Sequence, residues 1–248
     1  MQIKVLGSGS TGNCYYVKTS NGGFLLDAGV RLDKLYGNVE LSKIDFCFIS
    51  HKHKDHSAFA SKLKFIGIDV IDTYAETLVT NEFKGIKSNN KYKTMRFPIK
   101  HGEEKNNGLI VTDLEENETL IYLTDFNICE YNFKKLKIDH IMIECNYLEE
   151  KVNSMSGFIP NDDGENIFDF VNRRRINTHM GLDGCIDYIS KAFDMEQVKD
   201  IYLLHLSQQM GDCVEMGTRV QTAFNKPVYV CRTYGGVDNY EWVSKATR

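Results

Sequence analysis

Short apolar runs separated by glycine, asparagine, serine and aspartate set the rhythm of this chain. "IKVLG" (3–7), "CYYVKT" (14–19), "GFLLDAG" (23–29) and "IDFCFISH" (44–51) are rich in β-branched and aromatic residues and bounded by turn formers, which predicts four strands. The looser spacing of "HSAFASKLKFI" predicts a helix over 56–66, and "IDVIDTY" (68–74) returns to strand. A second strand-rich half repeats the layout with "KTMRFPIKHG" (93–102), "GLIVTDLE" (108–115), "TLIYLTDF" (119–126) and "IDHIMIECN" (138–146). Apolar residues at helical spacing predict amphipathic helices over 164–175 and 183–194. "DIYLLHLS" (200–207) and "PVYVCRTYGG" (227–236) close the chain as strands. With three prolines, no low-complexity linker and no repeat, one α/β domain over 1–248 is the economical expectation.

Composition narrows the setting. At 248 residues and 42% hydrophobic content the chain can bury a substantial core without staples. Thirty Lys and Arg stand against 34 Asp and Glu, so any contact with phosphate must be local and not the work of a global positive field. Seven scattered cysteines with no C-x-x-C pair fit reduced thiols that pack as small apolar residues. No apolar run reaches the roughly 18–20 residues of a spanning helix, and no secretory leader opens the chain; a cytoplasmic protein with no membrane segment is expected.

One segment breaks the rhythm. "ISHKHKDHSAF" (49–59) places His51, His53, Asp55 and His56 within six positions at the end of an apolar strand. His51 and His53 share a face if the segment is extended, while Asp55 and His56 lie where a loop can curl inward. Imidazole and carboxylate are ligands for Zn²⁺, Mn²⁺ or Fe²⁺. Four groups cannot complete two coordination spheres, so further His or Asp should lie at later strand ends, and His101, Asp125 and His205 do. Taken singly, Asp125 also reads as a turn or cap residue, and His101 and His205 as satisfied core histidines.

"HKHKDH" matches H-x-H-x-D-H, and with "GFLLDAG" before it the chain resembles the metallo-β-lactamase superfamily. That resemblance implies a four-layer αββα sandwich carrying two divalent metal ions, zinc or manganese. It assigns His51, His53 and His101 to one ion, Asp55, His56 and His205 to the other, and Asp125 to both. The opening "VLGSGSTGNCYYV", with "HIMIECN" and "LLHLSQ" later, resembles the YycJ/WalJ-like branch, associated with phosphodiester and exonuclease chemistry. Tyr147 stands where that branch has a histidine after Asn146.

A carboxylate-bridged metal pair lowers the pKa of a water held between the ions and neutralises charge on a phosphoryl oxygen, so hydrolysis at phosphorus follows. Asp55 is the candidate to orient that water or take its proton, and His179 the candidate acid or phosphate grip. Asn146 and the run Arg173, Arg174 and Arg175 are candidate substrate contacts; an arginine run is equally a solvated helix face. Lys91, Lys93, Arg96 and Lys100, with Tyr92 and Phe97 between them, form a weak charge-and-stacking stripe. Asp27 is expected to support a ligand histidine through its other ring nitrogen, and Asn13 to shape a tight turn beside the metals. His140 is expected to be structural. The leading expectation is a metal-dependent nuclease-like phosphodiesterase, with nucleic acid or a nucleotide as partner. A phosphodiesterase of cyclic or other small nucleotides is the alternative, followed by a thioester, lactone or β-lactam hydrolase or a non-catalytic metal-binding module. The resemblance also allows a homodimer.

Overall fold

The computed structural model describes residues 1–72, 84–88, 91–154 and 176–232. The expected helix over 164–175, with Arg173, Arg174 and Arg175, lies outside the described residues. Two sheets form the centre. The first takes β1 (Gln2–Gly7), β2 (Cys14–Thr19), β3 (Gly22–Leu26), β4 (Ile44–Ile49) and β5 (Val70–Asp72) in chain order, an antiparallel meander followed by parallel pairing from β3 onward. The second runs in order from β6 (Lys84–Ser88) through β7 (Tyr92–His101), β8 (Glu104–Asp113), β9 (Glu118–Leu123), β10 (His140–Glu144) and β11 (Asp200–Leu204) to β12 (Val228–Val230). It is antiparallel up to β9 and parallel beyond.

Alternation along the strands dictates the layering. Phe24, Leu26, Phe46 and Phe48 of the first sheet face Leu109, Val111, Leu120 and Tyr122 of the second, with the Phe24 and Phe46 rings stacked at 5.0 Å. Their neighbours Leu25, Cys47 and Ile49 point outward, where α1 (Lys54–Ser57) and α2 (Ala60–Phe65) begin a helical layer and Ala60 and Leu63 pack on them. On the far side Ile121, Leu123, Ile143 and Leu203 meet a second helical layer. After the short α3 (Glu149–Ser154), that layer holds α4 (Leu182–Ala192) and α5 (Cys213–Phe224), which contribute Leu182, Cys185, Ile189, Met216 and Val220. The result is the expected αββα sandwich. Both faces of each central strand are covered, and that is why "FLLDA" and "FCFIS" read as unbroken apolar runs.

Two expectations need correction. The helix placed over 56–66 is two short ones, α1 and α2, broken at Ala58–Phe59 and beginning two residues early so that Asp55 and His56 are helical. The basic stripe on β7 is no stacking surface, because Tyr92 is buried between the sheets and Phe97 in the outer core on the opposite face. Arg96 is buried and Lys91 bonds Asp45 at 2.7 Å. Among the described residues no helix is long and apolar enough to cross a membrane.

Direction decides where chemistry gathers. Strands β3 and β4 run parallel, and so do β9, β10 and β11, while β7 and β9 share a direction because each is antiparallel to β8. Their C-terminal ends carry Asp27, His51, His101, Asp125, Glu144 and His205, which converge on one edge of the sandwich.

Candidate metal centre

His51 follows β4, His53 caps α1, and His101 is the last residue of β7. The Nε2 of His51 lies 3.0 Å from His53 Nδ1 and 3.7 Å from Asp125 Oδ2, and His101 Nε2 lies 4.0 Å from that same oxygen. A tetrahedral zinc with bonds of about 2.0–2.1 Å holds its ligand atoms about 3.3 Å apart, so the group fits around one ion. Each ring is oriented from behind. Ser50 Oγ donates to Asp27 and therefore accepts from His51 Nδ1 at 3.0 Å, and His101 Nδ1 donates to the Thr178 carbonyl at 3.0 Å.

A second group stands beside the first. His56 Nε2 lies 3.3 Å from both Asp55 Oδ2 and Asp125 Oδ1, and His205 Nε2 lies 3.5 Å and 3.6 Å from the same two oxygens. Asp125 thus turns Oδ2 to one trio and Oδ1 to the other. His205 Nε2 is buried and has no hydrogen-bond partner, a costly state for a polar atom that a bound cation would relieve. The donors present therefore fit two divalent ions.

Charge follows the same division. Burial and the neighbouring His56 push the His51 imidazole down to about 2, and burial also lowers His101, so both are neutral and ready to ligate. Burial lowers His56 and His205 too, but Asp125 overrides it in each, helped by Asp27 at His56 and by Asp55 and Glu144 at His205, which rises to about 10. Burial raises the Asp125 carboxyl, yet His205 and His56 hold it well below the usual range.

Behind these groups, Asp27 is fully buried and accepts from His56 Nδ1 at 2.6 Å, in the supporting position expected of it. Asn13 Nδ2 lies 3.0 Å from His56 Nε2 and donates to the Gly9 carbonyl, tying the "GSGSTGN" turn to the site. Asn146, expected to touch substrate, lines the cavity but donates its amide to the His205 carbonyl at 2.7 Å. His179 lies outside both trios: its Nδ1 donates to Glu144 Oε1 at 2.6 Å, and its ring stacks on His205 at 5.2 Å. Burial lowers His179, Glu144 raises it, and the net shift is upward. His140 sits at the opposite strand end between Asp200 and Glu118.

Three working residues escaped the sequence reading. Glu144 ends β10 as a charged residue on an apolar strand, the same signature that marked Asp125, and joins His179 to His205 through Oε1 at 2.6 and 3.2 Å. Ser50 and Tyr122 look like ordinary strand residues, yet both donate to Asp27. A cavity of about 820 Å³ opens over the cluster, with His53, Asp55, His101, His179 and His205 in its wall.

Two trios of His and Asp sharing one carboxylate, set at the strand ends of an αββα sandwich, could each hold a metal ion. Residues 7–124 match the model of the metallo-beta-lactamase superfamily, and the fold continues the likeness past them. The matched span holds Asp27, the His51–His56 cluster and His101 and stops one residue short of Asp125, whose placement comes from the structure. The metallo-beta-lactamase fold protein YhfI from Bacillus subtilis is 17% identical, with a TM-score of 0.65 over 93% of this chain and 95% of that one. Human tRNase Z, short form, is 12% identical with a TM-score of 0.58 over 84% and 93%. A diphosphatase from the PhnP family is 16% identical with a TM-score of 0.58 over 95% and 94%. These likenesses are of fold. No curated protein matches the chain in sequence.

Proposed function

We propose that this protein is a dinuclear metal-dependent phosphodiesterase acting on nucleic acid. The carrying observation is Asp125, one carboxylate with an oxygen turned to each of two ligand trios beneath an open cavity. Two divalent ions held there, zinc or manganese, supply Lewis acidity toward a phosphoryl oxygen and a water acidic enough to attack near neutral pH. Asp55 lines the cavity on the side of the second trio, where it would orient an attacking water and take its proton. His179 also lines the cavity, with a proton fixed on Nδ1 by Glu144 and its affinity for a second proton raised, and would donate to the departing oxygen. Thioester hydrolysis needs such an acid less, since a thiolate departs more readily than an alkoxide.

Two further observations support the phosphodiester reading. Structural neighbours include a tRNase Z, a diphosphatase and yeast PDE1. The "GSGSTGN" opening and "LLHLSQ" resemble the YycJ/WalJ-like branch. A small or cyclic nucleotide is the second reading, favoured by Glu103, which lines the cavity and disfavours an extended polyanion, beside Glu104, whose charge Lys52 balances at 2.7 Å.

The test is turnover of Mn²⁺- or Zn²⁺-loaded protein on bis-p-nitrophenyl phosphate, single- and double-stranded DNA, RNA and cyclic nucleotides, with His53→Ala as control. Polynucleotide cleavage lost in the control supports the proposal. Hydrolysis of cyclic nucleotides alone moves the substrate to the small class. Silence on every phosphodiester with both ions bound overturns it.

A further inference from the structure

We infer that Tyr122 is a positioning residue of the metal centre, whose hydroxyl reaches across from the opposite sheet to Asp27 and so fixes His56 for the second ion. The inference rests on the two-metal reading and concerns binding, not the reaction.

Asp27 and Tyr122 are both fully buried. The Tyr122 hydroxyl donates to Asp27 Oδ2 at 2.6 Å, and that oxygen also accepts from His56 Nδ1 at 2.6 Å and from Ser50 Oγ at 3.0 Å. The other oxygen accepts the Ser50 N–H at 2.7 Å. Four donors satisfy this buried carboxylate, and three of them meet at the one oxygen that orients His56. Tyr122 is the member of this set that comes from the second sheet. It lies on β9 three residues before Asp125, whereas Asp27, Ser50 and His56 belong to the end of the first sheet.

The metal ligands divide the same way, since the His51–His56 cluster hangs from the first sheet while His101, Asp125 and His205 hang from the second. The Tyr122–Asp27 bond therefore joins the two halves directly behind the second trio. His51, in the first trio, makes no bond to Asp27 among the described residues and meets this network through Ser50 Oγ and through its ring contact with His56 at 4.3 Å. Removing the tyrosine hydroxyl should loosen His56 and leave the other ion nearly untouched. A tyrosine that merely fills the core would show no such selectivity, because phenylalanine keeps the ring and its edge-on contact with Tyr15.

The experiment is Co²⁺ binding to chelator-stripped full-length protein, followed by visible absorption and calorimetry, for wild type, Tyr122→Phe, Tyr92→Phe and His56→Ala. Tyr92 is a control, a buried inter-sheet tyrosine whose hydroxyl serves Thr19 and Asp45 instead. We expect Y122F to weaken one site by about 10–100-fold, as loss of an outer partner does elsewhere. H56A should abolish that same site, and Y92F should match wild type at both. Equal weakening of the two sites in Y122F, no weakening of either, or fewer than two ions on the wild type overturns the inference. Should Y122F not fold, Asp27→Asn must weaken the same site selectively, and unchanged binding there overturns it equally. Two ions bound with no phosphodiester cleaved would sink the proposed reaction and leave this inference to the binding constants.

Discussion

Metal binding should stabilise the fold by an amount that can be worked out and divided between the two trios. An ion at about a hundredfold excess over its dissociation constant stabilises the folded state by about 2.7 kcal/mol, so two sites give about 5.4 kcal/mol. In a chain of this length each kcal/mol moves the midpoint by about 2–4 °C, which predicts a rise of about 10–20 °C on adding Zn²⁺, Mn²⁺ or Co²⁺ to stripped protein. That is an upper figure, because unfolded histidines and cysteines also bind metal. Among the described residues Asp125 is the only carboxylate that faces both trios, so Asp125→Ala should remove most of the rise. His101→Ala and His205→Ala should each remove about half, since each belongs to one trio. Melting followed by circular dichroism reads all four proteins. A stripped wild type that melts at the same temperature with and without every metal would refute the centre, and a full rise in Asp125→Ala would refute the bridge.

The other predictions are narrower. His179→Gln should lower kcat by about 100-fold with both ions still bound, checked by turnover alongside elemental analysis. Gly29→Ala would place a Cβ 1.7 Å from the Asp55 carbonyl and 2.7 Å from the Asn13 nitrogen, both backbone atoms. It should cost on the order of 3 kcal/mol in urea unfolding and depress metal uptake, because α1 must move. Asp212 accepts from Val214 N and Glu215 N at the start of α5, so Asp212→Ala should cost about 1 kcal/mol with metal binding unchanged.

The site was legible in the sequence wherever a ligand-type residue interrupted an apolar run, as at His51, His101, Asp125 and His205. Glu144 carries the same mark in "IMIECN", two residues before Asn146. Ser50 and Tyr122 could not be found that way: a serine ending a strand and a tyrosine within one are ordinary packing residues until the sheets are stacked and Asp27 appears between them. The break between α1 and α2 has no glycine or proline to announce it. The apparent stripe on β7 fails on strand geometry alone, for Tyr92 and Phe97 are five apart and must face opposite sides of a period-two strand.

Backbone conformation shows how firmly the edge is built. Among the described residues five non-glycine positions adopt positive φ: Asp27 (62°), Asn117 (51°), Asp125 (49°), His205 (54°) and Asn225 (52°). Two are asparagines in ordinary places, Asn117 between β8 and β9 and Asn225 capping α5. The other three are all members of the metal centre, each just past the end of its strand. Asp and His tolerate the left-handed region better than most residues, but the conformation still costs about 1 kcal/mol apiece. It persists because the surrounding bonds fix it: Asp27 N donates to the Phe48 carbonyl, His205 N to Ser8 Oγ, and Asn106 holds the Asp125 carbonyl. A strand that simply continued would keep alternating its side chains above and below its sheet. The left-handed step ends the alternation at the point where Asp27, Asp125 and His205 must turn inward. One kind of backbone turn, used on both sheets, therefore brings carboxylate and imidazole into the spacing that two ions require.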